Sequence, residues 1–323
     1  MKQKLLLMTL AMLCSLVAWS ADGDTFTAET IEGVEMTFVV TNEVNALVQV
    51  GKGVNSSQCI SRETIGGITI PQYVSFQSKD YIVASIADYA FQNCWYITSV
   101  FIPSSIKTIG KFAFQYCDGY FGTKEGLSTV TISDGVEKID DYAFAACYQL
   151  KSITIPKSVS FIGCCILGAC RDLESIQVDD ENSYYDSRNN CNAIVEKETN
   201  SLICGCKKTI IPQSISQLAD EAFEQCYGLT TIEIPSNIKS IGHHCFYGCT
   251  DLKSVISYIT QPFSFGSSAF SDIGRDNINY TFNNATLFVP YGTRDSYIAT
   301  GWTEDVFKLG IVEMKDDLSI SAN

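Results

Sequence analysis

Ile241–Cys249, IGHHCFYGC, gathers the residue types that bind metals: His243 and His244, which are the only histidines in the chain, and Cys245 and Cys249. Zinc takes such imidazole and thiolate ligands when four of them converge on one point. Side chains four apart share one face of a helical turn, so the two sulfurs point together. Two further pairs, Cys164–Cys165 and Cys204 with Cys206, lack zinc-finger spacing. With Cys59 and Cys191 they are the disulfide candidates, and spacing does not fix how they would connect. DDENS, from Asp179 to Ser183, offers oxygens for calcium but has no glycine at the sixth loop position, so it reads as a solvated turn. The chain contains no G-x-S-x-G, H-E-x-x-H or phosphate-binding loop. Two adjacent histidines suit few triads, and a carboxylate pair for glycoside hydrolysis is defined only by distance in space. No catalytic residue, no metal ligand set and no cofactor is expected.

The elements that position these residues repeat. SIADYAFQNCWYITSVFIPSS, KIDDYAFAACYQLKSITIPKS and QLADEAFEQCYGLTTIEIPSN align on their cysteines, as does SIGHHCFYGCTDLKSVISYIT. The steps Cys94 to Cys117, Cys147 to Cys170 and Cys226 to Cys249 are each 23 residues. Cys117 to Cys147 is longer by a seven-residue insertion within DGYFGTKEG, and Cys170 to Cys226 contains an extra unit of 33 residues. A fixed period of this size predicts a solenoid. In LKSITIP (Leu150 to Pro156), Ile153 and Ile155 alternate with Ser152 and Thr154, which is the period of a strand. Pro156 ends it, because proline cannot donate a ladder hydrogen bond. In YAFAAC, Ala143 and Cys147 are four apart, which predicts one helical or 3-10 turn aimed at the same core. The fold class expected is therefore strand-rich α/β: stacked units of about 23 residues, with a parallel sheet on one face and short helical turns on the other. The six cysteines at this period are expected to form a column of buried thiols. Rungs about 4.7–4.9 Å apart would permit disulfides by distance, but side chains in a column point the same way.

The pattern L-x-x-I-x-I-P … I-G-x-x-A-F-x-x-C resembles the BspA-like subclass of leucine-rich repeat proteins, exported proteins of Bacteroides-type bacteria. The resemblance runs from Ser85 to Ile256. The segment around 178–211 resembles the family's longer hairpin-bearing unit, with AIVE and SLICGC pairing across KETN. Residues 21–84 resemble its strand-rich N-terminal cap. Residues 257–323 resemble its closing cap, with Trp302 packing at the end. Ser133 in place of proline, Leu167 in place of phenylalanine, and Cys245 in place of alanine depart from the pattern, as does the missing proline of the sixth unit. The resemblance implies a surface or secreted binding protein with a proposed role in adhesion to host proteins or other cells.

Composition narrows the partners. Formal net charge is −14 over 323 residues, so nucleic acid and anionic membrane surfaces are disfavoured. Residues 1–20 read as a signal peptide: Lys2 and Lys4 precede an apolar run too short to span a bilayer, and cleavage is expected after Ser20. The exported chain is expected to have no membrane span. The outward strand positions are Phe101, Thr131, Thr154, Gln177 and Glu233. With Tyr120 and Phe121 in the seven-residue insertion, they are the candidate contacts for an extracellular or host protein. A glycan is the alternative partner, and a hydrolase with an unrecognised acidic site is the second alternative.

Overall fold

The computed structural model describes residues 21–119, 126–271 and 284–315. The expected signal peptide lies outside them, as do Tyr120 and Phe121. The repeat's strands stack in parallel. Gly66–Thr69 pairs with Ile97–Ile102, which pairs with Thr129–Ile132, then Ser152–Ile155, then Ser175–Val178. A second sheet runs alongside, built from Lys79–Ile86 and the two-residue strands Thr108–Ile109, Lys138–Ile139 and Phe161–Ile162. After the hairpin Ala193–Glu196 and Ser201–Gly205, stacking resumes with Thr231–Ile234, Ser254–Ser257, Thr286–Val289 and Ile311–Glu313. The hairpin turns at KETN as expected, with Ala193 opposite Gly205 and Glu196 opposite Ser201. At the N-terminus three antiparallel strands, Thr25–Glu29, Glu35–Asn42 and Leu47–Val50, lead into the stack. Leu47–Val50 then pairs in parallel with Lys79–Ile86, so the parallel ladder continues into the segment read as a cap.

Proline ends the strands as the sequence implies: Ile97–Ile102, Ser152–Ile155 and Thr231–Ile234 each stop one residue before one. Ser133 stands where the pattern has proline, and its amide uses that freedom, donating to the Ile102 carbonyl at 2.9 Å.

The AFxxC segments are not helices. Among the described residues, regular helix is confined to Arg188–Asn190 and Arg294–Ala299. Each AFxxC segment is instead a run of turns with alternating hydrogen bonds. Ala90, Gln92 and Cys94 donate three residues back, to Ala87, Tyr89 and Phe91. Tyr89, Phe91 and Asn93 donate to the next rung, to Lys111, Ala113 and Gln115, at 2.9, 2.7 and 2.9 Å. An α-helix would spend every amide within its own turn. Here half of them serve the neighbour, so the turns form a ladder of their own. The geometry needs left-handed backbone at Tyr89 and Asn93, both with φ 59°, and at the matching Phe112, Tyr142, Glu221 and His244. Each such residue costs roughly 1–2 kcal/mol. The inter-rung bonds and the burial they enforce offset it.

Between the sheets and the turns runs a column of phenylalanines. Phe91 stacks on Phe114 at 4.7 Å and Phe114 on Phe144 at 5.2 Å; beyond the hairpin, Phe223, Phe246 and Phe270 stack at 5.0 Å. All six rings are buried. Each is worth about 1.5–3 kcal/mol of burial, against about 0–1 for an exposed ion pair such as Lys107–Glu137. The column therefore outweighs the surface charges. Trp302 closes it. The ring is fully buried among Phe263, Phe265, Tyr297 and Phe307, and its Nε1 donates to the Phe263 carbonyl at 2.7 Å.

In three of the six units a glycine (Gly110, Gly163 or Gly242) precedes the turn and lets the rungs approach. A Cβ on Gly110 would lie 2.6 Å from the amide nitrogen of Asp88 in the preceding rung. Gly110→Ala is expected to destabilise the chain by about 1–3 kcal/mol through this backbone collision, lowering the midpoint of a thermal melt followed by circular dichroism.

Candidate functional site

The two-histidine stretch is a rung, and its ligand types diverge. His243 is exposed, whereas Cys245 and Cys249 are buried. The outward slot that His243 fills carries aspartate in other units, and the aspartate carboxylate caps the next rung. Asp88 accepts the Lys111 amide at 2.7 Å, Asp141 the Cys164 amide at 3.0 Å, and Asp220 the His243 amide at 2.7 Å. His243 repeats the role with a ring nitrogen: Nδ1 accepts the Ser267 amide at 3.0 Å. His244 turns its ring against Tyr247, with centroids 5.1 Å apart.

The column cysteines are thiols that donate across rungs. Cys117 donates to the Phe91 carbonyl, Cys147 to Phe114, Cys170 to Phe144 and Cys249 to Phe223, all at 3.0–3.2 Å. Burial pushes the Cys94 thiol up to about 12. The cysteines expected as disulfide candidates are also unbridged: the thirteen cysteines of the described residues are all free. The reasons are local. Cys164 faces solvent while Cys165 faces the core. The Cys59 amide donates to the Ala90 carbonyl, the bond that phenylalanine amides make in later rungs, so Cys59 fills the ring slot of the rung before Phe91. The Cys191 and Cys206 thiols are taken by the carbonyls of Ala193 and Asn192. In DDENS the buried member is Asn182, whose side chain makes four hydrogen bonds, to Pro156, Val159, Tyr184 and Tyr185, that start the hairpin unit.

One convergent group was not legible from spacing. Leu167, in the rung before the hairpin, and Gly205, at the end of the hairpin's second strand, take the phenylalanine slot, and the ring column breaks there. The gap is a cavity of about 10 Å³, the size of one water. Cys165, Cys170, Cys204, Cys206 and Cys226 line it, together with Glu221 and Glu224. One ligand atom from each of Cys165, Glu221 and Glu224 lies within 4.8 Å of the others. The Tyr142 hydroxyl donates to Glu221 at 3.0 Å across this gap. Burial raises the Glu221 carboxyl above its ordinary range, with the charge of Glu224 adding to it. The sequence signal was the loss of phenylalanine in two successive units.

The outward strand positions assemble in part. Phe101 sits in register with Thr69 on one side and Thr131 on the other, and Thr154 is in register with Gln177. These four candidates share one five-stranded sheet and are all exposed, Phe101 at 41%. Glu233 does not join them. It lies in the separate sheet beyond the hairpin, opposite Ile256. At the hairpin end the strip dips into an open depression lined by Thr154, Gln177, Asp179, Asp180 and Glu181.

A second row, missed in the sequence, occupies the slot just after the column cysteine. Arg62 lies over the Trp95 ring at 5.7 Å, and Arg171 lies between Tyr148 and Tyr227 at 5.2 and 5.1 Å. The seven-residue insertion leaves the stack beside this row, where the Gly119 amide donates to the Trp95 carbonyl at 2.9 Å. Among the described residues no helix is long and apolar enough to cross a membrane.

The family described as "BspA type Leucine rich repeat region (6 copies)" matches residues 56–120, 118–201 and 196–288. No curated protein matches the chain. Among solved structures it is similar to a leucine-rich cell surface protein from Faecalibacterium prausnitzii, at 19% identity and TM-score 0.39, covering 94% of this chain and 99% of that one. It is also similar to the pneumococcal vaccine antigen PcpA, at 17% and 0.42, covering 92% and 100%. A leucine-rich repeat protein from Bacteroides ovatus matches at 22% and 0.42, covering 91% and 77%.

His243→Ala should cost about 1 kcal/mol by leaving the Ser267 amide without its acceptor. His243→Asp should cost less, since aspartate caps the same slot in other rungs. Urea midpoints of the two variants check the order.

Proposed function

Since the chain belongs to the BspA-type leucine-rich repeat family, we propose that it is an exported scaffold that binds an extracellular or host protein along one face of its stack and catalyses no reaction. The repeat region expected at 85–256, in units of about 23 residues, is the binding part, and residues 21–84 and 257–323 cap it. The observation that carries this reading is the strip itself: Phe101, Thr131, Thr154 and Gln177 follow one another across adjacent strands of one sheet, each exposed. Stacked repeats offer extended surfaces of this kind to partners.

The chemistry of the two rows suits a protein ligand. Trp95, Tyr148, Arg171 and Tyr227 are of the types that dominate binding energy at protein interfaces, and they border the root of the insertion that carries Tyr120 and Phe121. The acidic depression at Asp179, Asp180 and Glu181 favours a partner with positive charge at that end. Electrostatic complementarity of this sort speeds association and weakens with salt.

Immobilised exported chain should bind an extracellular-matrix protein or a host-cell surface saturably, and less tightly as salt rises. Phe101→Ser and Tyr148→Ala should each weaken the interaction about tenfold, the effect of losing about 1.4 kcal/mol. Surface plasmon resonance over a broad panel measures this, and a flat response contradicts the reading. A glycan array run beside it separates the alternative: binding there without any protein ligand would identify a carbohydrate partner instead.

A further inference from the structure

We propose that Cys165, Glu221 and Glu224 form a zinc site at the break in the phenylalanine column, independent of the partner-binding face. The three come from two rungs on either side of the hairpin, 56 residues apart between Cys165 and Glu221. The fold brings one ligand atom of each within 4.8 Å of the other two. Zinc binds thiolate at about 2.3 Å and carboxylate at about 2.0–2.2 Å, so the cluster needs only small side-chain adjustments to close on an ion. A fourth atom of ligand type within the same lining is the sulfur of Cys204 on the hairpin strand.

Three observations separate this group from an ordinary surface cluster. Glu224 Oε2 is sealed from solvent without a hydrogen bond of good geometry, and the donor its carboxylate faces is the Cys165 thiol. An oxygen of that kind is costly to bury, by about 1–3 kcal/mol and more when charged, and calls for a cation or donor. Glycine at 168 also keeps the room that Cys165 Sγ occupies: a Cβ there would collide with it. The neighbouring groups, finally, are arranged as outer support. The Tyr142 hydroxyl donates to Glu221, fixing the carboxylate as metal ligands are commonly fixed by a second hydrogen bond.

The mixed ligand set favours zinc. Magnesium and calcium take oxygen only, whereas zinc accepts sulfur and carboxylate in one tetrahedron. Cys245, Cys249 and the two histidines have no part in the site.

The test titrates ZnCl2 into the exported chain, purified under reducing conditions, by isothermal calorimetry with native mass spectrometry. One zinc per chain is expected. Glu224→Gln and Cys165→Ser keep the side-chain shapes and should each weaken binding at least about tenfold. Tyr142→Phe, which removes only the supporting hydroxyl, should also weaken it, by about tenfold. Cobalt in place of zinc should give a thiolate-to-metal charge-transfer band that disappears in Cys165→Ser. Melting curves without metal identify any variant that has failed to fold, and the cobalt spectrum of folded Glu224→Gln then decides. No saturable zinc binding, unchanged affinity in both ligand variants, or a disulfide on Cys165 in the exported chain would each overturn the proposal.

Discussion

Each rung of this molecule depends on its neighbours for the hydrogen bonds of its turns. A turn residue in a free loop satisfies its amide with water or with its own chain. Here Phe91, Phe114, Phe144, Phe223 and Phe246 donate their amides to the next rung at 2.7–3.0 Å. Those bonds bring the rungs close enough for the rings to stack and for the column thiols to reach the carbonyls of the preceding rung. They also explain the left-handed residues. At Tyr142 or His244 the backbone turns so that its N–H points along the stack rather than back into its own turn. Strands, turns and side-chain column all enforce one repeat distance, which local propensity alone would not select.

Much of this could be read from the residues. The I-x-I-P strands and the hairpin across KETN are local patterns, and strands and hairpin form where those patterns imply. His243 could be assigned by alignment to an aspartate slot, and it caps a backbone amide as aspartate does. The turn conformation could not be read. Ala90 and Cys94 are four apart, which fits a helix, and only the inter-rung bonds make the alternating turn preferable. The split of the outward strip was hidden for a similar reason: Glu233 repeats the pattern of Thr154, but the hairpin unit divides the sheet between them. Cys165, Glu221 and Glu224 converge only because that same unit is inserted, and no spacing in the chain encodes their distance.

The hairpin unit is thus where the repeat departs furthest from itself. Buried apolar residues fall into two groups that divide near it, one holding Leu167 and Cys204 and the other Leu202 and Phe223. The phenylalanine column stops, sulfurs and carboxylates replace rings, and Arg171 spans the step by lying between Tyr148 and Tyr227. Regular rungs give stiffness and an extended face. Chemistry gathers at the irregular one.

Hydrogen exchange measured residue by residue tests the dependence of rung on rung most directly. The turn amides of Phe91, Phe114, Phe144, Phe223 and Phe246 should exchange as slowly as strand amides such as Ile153 and Ile232, because they open only when the stack opens. Exchange of those phenylalanine amides at the rate of solvent-exposed loop amides, with the strands still protected, would contradict the account.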